Sequence, residues 1–152
     1  MKITYFWDQE YATDEIGVQL NPENRHLVAK IEAGLNQERG LEVIDPMNQR
    51  KSMLRHSQVQ LIEAMDHLSK IYTVDDRIFY AKGRLKEFSD LSSSGIVRIN
   101  NSLMLNMKQV VSFNCGQHAR LEVHTHNGDT YTVSRHYAKQ IKEELKRRHD
   151  NG

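Results

Sequence analysis

Cysteine is almost missing from this sequence: Cys115 stands alone among 152 residues. One thiol cannot close an internal disulfide, so the chain is no disulfide-stapled scaffold, and it suits a reducing cytoplasm. Long apolar runs are missing too, and none approaches the roughly 20 residues that a helix needs to cross a bilayer. Met1 to Asp8 offers neither an apolar signal core nor a small-residue cleavage site. There is no internal repeat, no low-complexity tract, and no glycine-rich phosphate loop or Walker signature. What remains is polar and globular, with 38% hydrophobic and 27% charged residues. The length suits one domain, or one domain with a small appendage.

Charge of either sign is plentiful but unevenly placed. Residues 1–46 hold four Lys/Arg (Lys2, Arg25, Lys30, Arg39) against nine Asp/Glu, a net of −5, whereas residues 47–152 hold 17 against 11, a net of +6. Two halves of opposite sign suggest two jobs, with the basic half facing a polyanion. The competing reading is a chance split of charge over solvated faces.

The central stretch is Ile96 to Asn106, where apolar and polar residues alternate, break at Asn100-Asn101-Ser102, and resume at Leu103. Successive side chains of a strand point to opposite faces, so two short strands with a polar corner are expected. Upstream, Lys2 to Trp7 and Ile16 to Leu20 carry strand patterns. Asn21-Pro22 is a helix start, and Leu27, Val28, Ile31 and Leu35 mark one helical face. Gly40 stops that helix, and a strand over Leu41 to Ile44 completes a small β-β-α-β appendage, residues 1–46. Further strands are expected over Val59 to Ala64, Ser69 to Thr73, Ile78 to Ala81, Val110 to Phe113, Ala119 to Val123 and Thr130 to Val133. Asn127-Gly128 supplies a hairpin turn, Met65 to Leu68 is a loop, Gly83 to Leu91 a short helix, and Tyr137 to Arg148 a terminal helix. The fold class is mainly β with short helices (α+β), an antiparallel multi-stranded domain over residues 47–152.

In this order the motifs resemble the LytTR family of DNA-binding domains over about residues 50 to 146. They are Ile62-Glu63, Leu85-Lys86-Glu87-Phe88, Val97-Arg98-Ile99-Asn100-Asn101-Ser102, Asn106, Asn127-Gly128-Asp129 and Val133-Ser134-Arg135-His136-Tyr137. Ile96-Val97 replaces the family's aromatic two residues before the arginine, and Leu61 stands first in its Tyr-Ile-Glu. The resemblance implies a short stand-alone transcription regulator without a receiver domain. It would be cytoplasmic and bacterial, a homodimer on imperfect direct repeats, under the control of a small membrane protein and without catalysis or cofactor. It also implies an antiparallel β-fold that presents loops to successive major grooves of double-stranded DNA: Met65 to Lys70, Asn100 to Ser102 and Ser134 to Tyr137. Base contacts are expected from His67, Ser69, Lys70, Asn101 and Arg135. Phosphate contacts are expected from Arg98, Ser102, Lys108, Ser134, His136, Tyr137 and Lys139.

Side-chain chemistry agrees with those roles. Arg135 can bond guanine O6 and N7 with two donors, and an asparagine amide such as that of Asn101 can pair with adenine. Phosphate contacts fix position without reading sequence. Arginine at a helix start opposes the helix dipole, which favours a functional reading of Arg135. Ordinary structural roles compete: a salt bridge for Arg98, a turn cap for Asn101. Glu122, His124 and His126 fall on one strand face as a metal-enzyme alternative, or simply as the wet face of a hairpin. Cys115 near His118 is a remote nucleophile pair. A third reading is a protein-interaction module with charged halves.

Overall fold

The computed structural model describes residues 1–35 and 40–151, with side chains as far as Arg148. The chain divides into an N-terminal unit, residues 1–37, and a larger unit, residues 38–150. In the N-terminal unit Asn21 caps a 3-10 turn, Pro22–Leu27, by accepting from the Glu23 amide at 3.0 Å. Helix α1 (Val28–Leu35) follows directly. The two strands expected over Lys2 to Trp7 and Ile16 to Leu20 do not form. No described side chain of this unit is buried, and a two-stranded hairpin without a surface to pack on is barely stable.

The larger unit is built from two antiparallel sheets. The first contains β1 (Gly40–Ile44), β2 (Lys51–Arg55), β3 (Val59–Met65), β4 (Leu68–Thr73), β5 (Ile78–Lys82), β6 (Ile96–Arg98) and β7 (Leu103–Asn106), in the order β2-β1-β5-β4-β3-β7-β6. The second contains β8 (Val110–Cys115), β9 (Leu121–Thr125) and β10 (Thr130–Val133), in the order β10-β9-β8. Helix α2 (Arg135–Asn151) closes the chain. The strand assigned to the appendage, β1, belongs instead to the large sheet. It pairs with β2 from Gly40↔Arg55 to Ile44↔Lys51 and meets β5 at Ile44↔Tyr80. Val43 is 1% exposed there.

Two apolar clusters cover opposite faces of the large sheet. Ile62, Ile71, Ile96 and Met104 pack with Leu85, Phe88 and Leu91 of a 3-10 helix, Leu85–Ser94. Leu61, Ile99 and Leu105 pack with Leu121, Val123 and Val133 of the second sheet and with Ile141 and Leu145 of α2. Neighbours such as Leu61 and Ile62, or Met104 and Leu105, therefore enter different clusters, as the two-residue period of a strand requires. The expected helix at Gly83 starts two residues later and ends at Gly95, whose φ of 86° lets its amide reach the Leu91 and Ser92 carbonyls. Ala119, expected in a strand, lies in a 3-10 turn, Gln117–Ala119; φ is 57° at His118 and 62° at Ala119.

Candidate nucleic-acid interface

The β6–β7 corner is held from within. Asn100 Oδ1 accepts from the Ser102 amide at 2.9 Å and from its hydroxyl at 3.1 Å, and Asn100 Nδ2 donates to the Thr132 carbonyl at 3.1 Å. Arg98 Nε donates to the Asn100 carbonyl at 3.2 Å and Nη2 to the Asn101 carbonyl at 3.0 Å. This is the Asx-turn chemistry that makes asparagine favourable at corners, and Asn100 uses it. The side chain of Asn101 stays exposed, without a hydrogen-bond partner among the described residues.

Two backbone bonds bring other junctions to the corner. The Ser134 amide donates to the Ile99 carbonyl at 2.8 Å, which sets the β10–α2 junction alongside. The Ala64 amide donates to the Ser102 carbonyl at 2.9 Å, which sets the end of β3 on the other side. Beyond Ala64, β3 and β4 are joined by a tight turn, Asp66-His67, with Asp66 at φ 51°.

Asn101, Ser134, Arg135 and His136 line one open concavity of about 660 Å³, together with His118 and Arg120. No carboxylate shares the lining. Arg135 is the first residue of α2, whose first turn carries no acidic residue, so the positive end of the helix adds to the two guanidinium groups. A concavity of one sign attracts an anion and concentrates it locally. His136 packs edge-on against Tyr137 at 4.7 Å between ring centres, and Arg98 lies 6.0 Å from the centre of the same tyrosine.

The expected site residues separate into groups. Asn101, Ser134, Arg135 and His136 converge on the concavity. Arg98, Ser102 and Tyr137 are not part of its lining; Arg98 and the Ser102 hydroxyl are committed to the corner itself. Lys139 is exposed one helical turn after Arg135. His67 is exposed in the β3–β4 turn. Lys70 lies 5.0 Å from the Tyr72 ring centre, and that tyrosine, foremost through a side-chain hydrogen bond, raises the lysine's pKa and keeps it charged.

One expectation is corrected, at Ser69, and one residue, Lys108, is placed apart from the others. Ser69 is 0% exposed and its hydroxyl donates to the Gly83 carbonyl at 2.8 Å, so it faces the core and not a base. Lys108 lies at the far end of β7, where the Met107 amide bonds the Gly95 carbonyl at 2.8 Å. There it lines a separate groove with Val111, Phe113 and Leu145. Arg120 escaped the sequence reading, and His118 entered it only as a neighbour of Cys115. Only the consecutive left-handed residues of their turn bring them to the site, and no spacing rule announces that.

The metal alternative also changes. Glu122 and His124 do share a face, but His126 lies past the end of β9. His124 Nε2 meets Asn114 Oδ1 at 2.6 Å and its Nδ1 meets the Thr130 hydroxyl at 3.0 Å; Asn114 Nδ2 donates to Glu122 at 3.3 Å. Among the described residues no three His, Cys, Asp or Glu side chains form a metal-holding group. Cys115 Sγ is met by Lys142 Nζ at 3.8 Å, while His118 lines the concavity. No helix among the described residues is long and apolar enough to cross a membrane.

A family model described as the LytTr DNA-binding domain matches residues 49–146. Among solved structures, this chain is similar to the LytTr DNA-binding domain of what is described as a methyl-accepting/DNA response regulator from Bacillus cereus. The TM-score is 0.61 at 20% identity, covering 70% of this chain and 95% of that one, a likeness of fold. No curated protein matches the chain. The family model spans well over half of the sequence, including both sheets but for β1 and all of the basic concavity; the chain belongs to the LytTR family of DNA-binding domains, which act in transcription regulation.

Proposed function

We propose that this chain recognises specific base pairs in successive major grooves of double-stranded DNA, presenting its β3–β4 turn, β6–β7 corner and β10–α2 junction as the readers. The observation that carries this is the shared concavity of Asn101 and Arg135. Both are exposed, neither side chain hydrogen-bonds another described residue, and both are of types that pair with base edges. His67 supplies a third reader from the β3–β4 turn. Ser134, His136, Lys139 and Arg120 contact phosphates and set the register.

Two copies bind direct repeats in the cytoplasm, joined through the N-terminal unit. In support, that unit exposes Ile3, Tyr5, Phe6, Trp7, Ile16 and Val18 and buries none of its described side chains, and apolar surface of that extent marks an interaction site. The same surface is where a membrane-protein regulator would act.

Selection from a pool of random duplexes at moderate salt tests the reading. Enrichment of a repeated motif by the wild type, with Arg135→Ala and Asn101→Ala each relaxing it, is the expected result. Binding that selects no motif and merely fades with salt refutes sequence recognition and leaves a solvated basic surface. Light scattering of the full chain, with and without Trp7→Ser, tests the joining of copies.

A further inference from the structure

A second concavity lies in the larger unit, away from the basic one. It is a cleft of about 390 Å³ where β3 and β4 meet the β9–β10 hairpin. Its lining includes Gln60, Glu63, Tyr72, Asp76, Asp129 and Tyr131, and no lysine or arginine. Gln60 is 3% exposed, and its Nε2 has no hydrogen-bond partner among the described residues. The Tyr131 hydroxyl lies beside that amide yet outside hydrogen-bonding geometry, and it donates to Asp129 at 3.3 Å. An unpaired buried donor is costly, because it has given up water and gained nothing, so it is rarely left in a core without use.

The backbone explains how Gln60 comes to be there. Val59 pairs with Thr73 and Leu61 with Tyr72, so Gln60 is the extra residue of a β-bulge. Bulges re-aim a side chain. Here the bulge lets Val59 and Ile62 keep to one core while Leu61 enters the other, and it leaves Gln60 on the wall of the cleft.

From this geometry we propose that the cleft binds a small organic cation that also carries acceptor oxygens, of the amino-sugar or amino-alcohol class. An acceptor oxygen satisfies the Gln60 amide, and an ammonium group lies among Glu63, Asp76 and Asp129. The rings of Tyr72 and Tyr131 give the apolar walls that such sites combine with a few polar groups; Lys70 already lies over the Tyr72 ring, so the Tyr131 face is the one left to attract a cation. The carboxylates do not converge as a metal-holding group, which suits an extended organic ion and not a bare metal.

The cleft is wired to the DNA-reading corner. Glu63 precedes Ala64, whose amide bonds the Ser102 carbonyl at 2.9 Å, and Tyr131 precedes Thr132, whose carbonyl takes the Asn100 amide at 3.1 Å. A ligand that shifts either wall shifts the corner, so the site is an effector site; this coupling alone rests on the DNA-reading role proposed above.

The test is a titration of the full chain, without DNA, followed by the backbone amide resonances of Glu63 and Tyr131, which line the cleft and are present in every variant. Glucosamine at mildly acidic pH is the probe, and N-acetylglucosamine, which keeps the oxygens and loses the cation, is the control. A saturable shift with glucosamine only is expected, weakened about tenfold by Asp129→Asn and by Gln60→Leu. Gln60→Leu removes an unpartnered donor and keeps an apolar stem, so it remains informative if Asp129→Asn does not fold. No saturable shift at tens of millimolar, or equal shifts with both sugars, overturns the proposal. Saturation that leaves affinity for a selected duplex unchanged overturns the coupling. Because the titration contains no DNA, its outcome stands apart from that of the duplex selection.

Discussion

Alanine in place of Arg135 removes a fork of donors that matches guanine O6 and N7. The expected loss is about 1–3 kcal/mol on the preferred duplex, with base preference relaxed at one position. Arg120 lines the same concavity from another turn, and its replacement should read differently. Arg120→Ala is expected to weaken all duplexes alike and to lower the slope of log affinity against log salt by about 1. Binding measured on selected and unrelated duplexes across a salt series separates the two roles; a base-specific loss at Arg120 would refute its assignment to phosphate. Ser69 provides a third outcome. Its hydroxyl satisfies the Gly83 carbonyl in a fully buried place, so Ser69→Ala should lower stability by about 1–3 kcal/mol and leave base preference unchanged. Denaturant unfolding together with duplex selection checks it. Ser69 shares its face of β4 with Ile71 and Thr73, both buried, while Lys70 and Tyr72 take the other. The two-residue period of the strand already held that information.

At the scale of elements, the β6–β7 corner is where local chemistry positions the readers. Asn100→Ala removes the bonds to Ser102 and Thr132 and frees Asn101 to wander. DNA affinity should fall about tenfold, although Asn100 is not placed on a base, and the Ser102 amide should exchange faster with solvent. Unchanged exchange would show that Arg98 holds the corner alone. This corner was legible in the sequence because alternation on both sides and two asparagines are purely local signals. So were the Asn127-Gly128 hairpin, with φ 87° at Gly128, and the cap at Asn21. Other features depended on partners that a local pattern cannot name. Ile3, Tyr5 and Trp7 alternate as a strand does, yet alternation makes a strand only where a neighbouring strand and a core exist. Lys108 matched by charge, but the β6–β7 hairpin carries it to the end away from the basic concavity. His118 and Arg120 reach the concavity through two left-handed residues, one of them the alanine of what reads as a strand. The bulge at Gln60 shows in no motif, because an inserted residue is visible only against its partner strand.

For the whole molecule, the seam between its parts decides what folds. The acidic half was expected to end at Pro46, but β1 lies before that point and is built into the large sheet. β2 touches the sheet only through β1, so removing β1 strands both. A chain beginning at Met47 would lose Val43 from the core and leave Leu54 on an unsupported strand; these residues are 1% and 4% exposed in the intact sheet. Fully burying each such side chain contributes about 1.5–3 kcal/mol, and a domain's net stability is only about 5–15 kcal/mol. A chain beginning at Gly40 keeps the ten strands of the described residues and both clusters. Thermal unfolding of the two truncated chains is the deciding comparison. The one from Gly40 should melt within a few degrees of the full chain and bind a selected single half-site. The one from Met47 should melt well below it, by roughly ten degrees or more for a unit of this size. Equal melting temperatures would mean that β1 and β2 are an ornament on the sheet, and the family's match from residue 49 would then mark the true start of the folding unit.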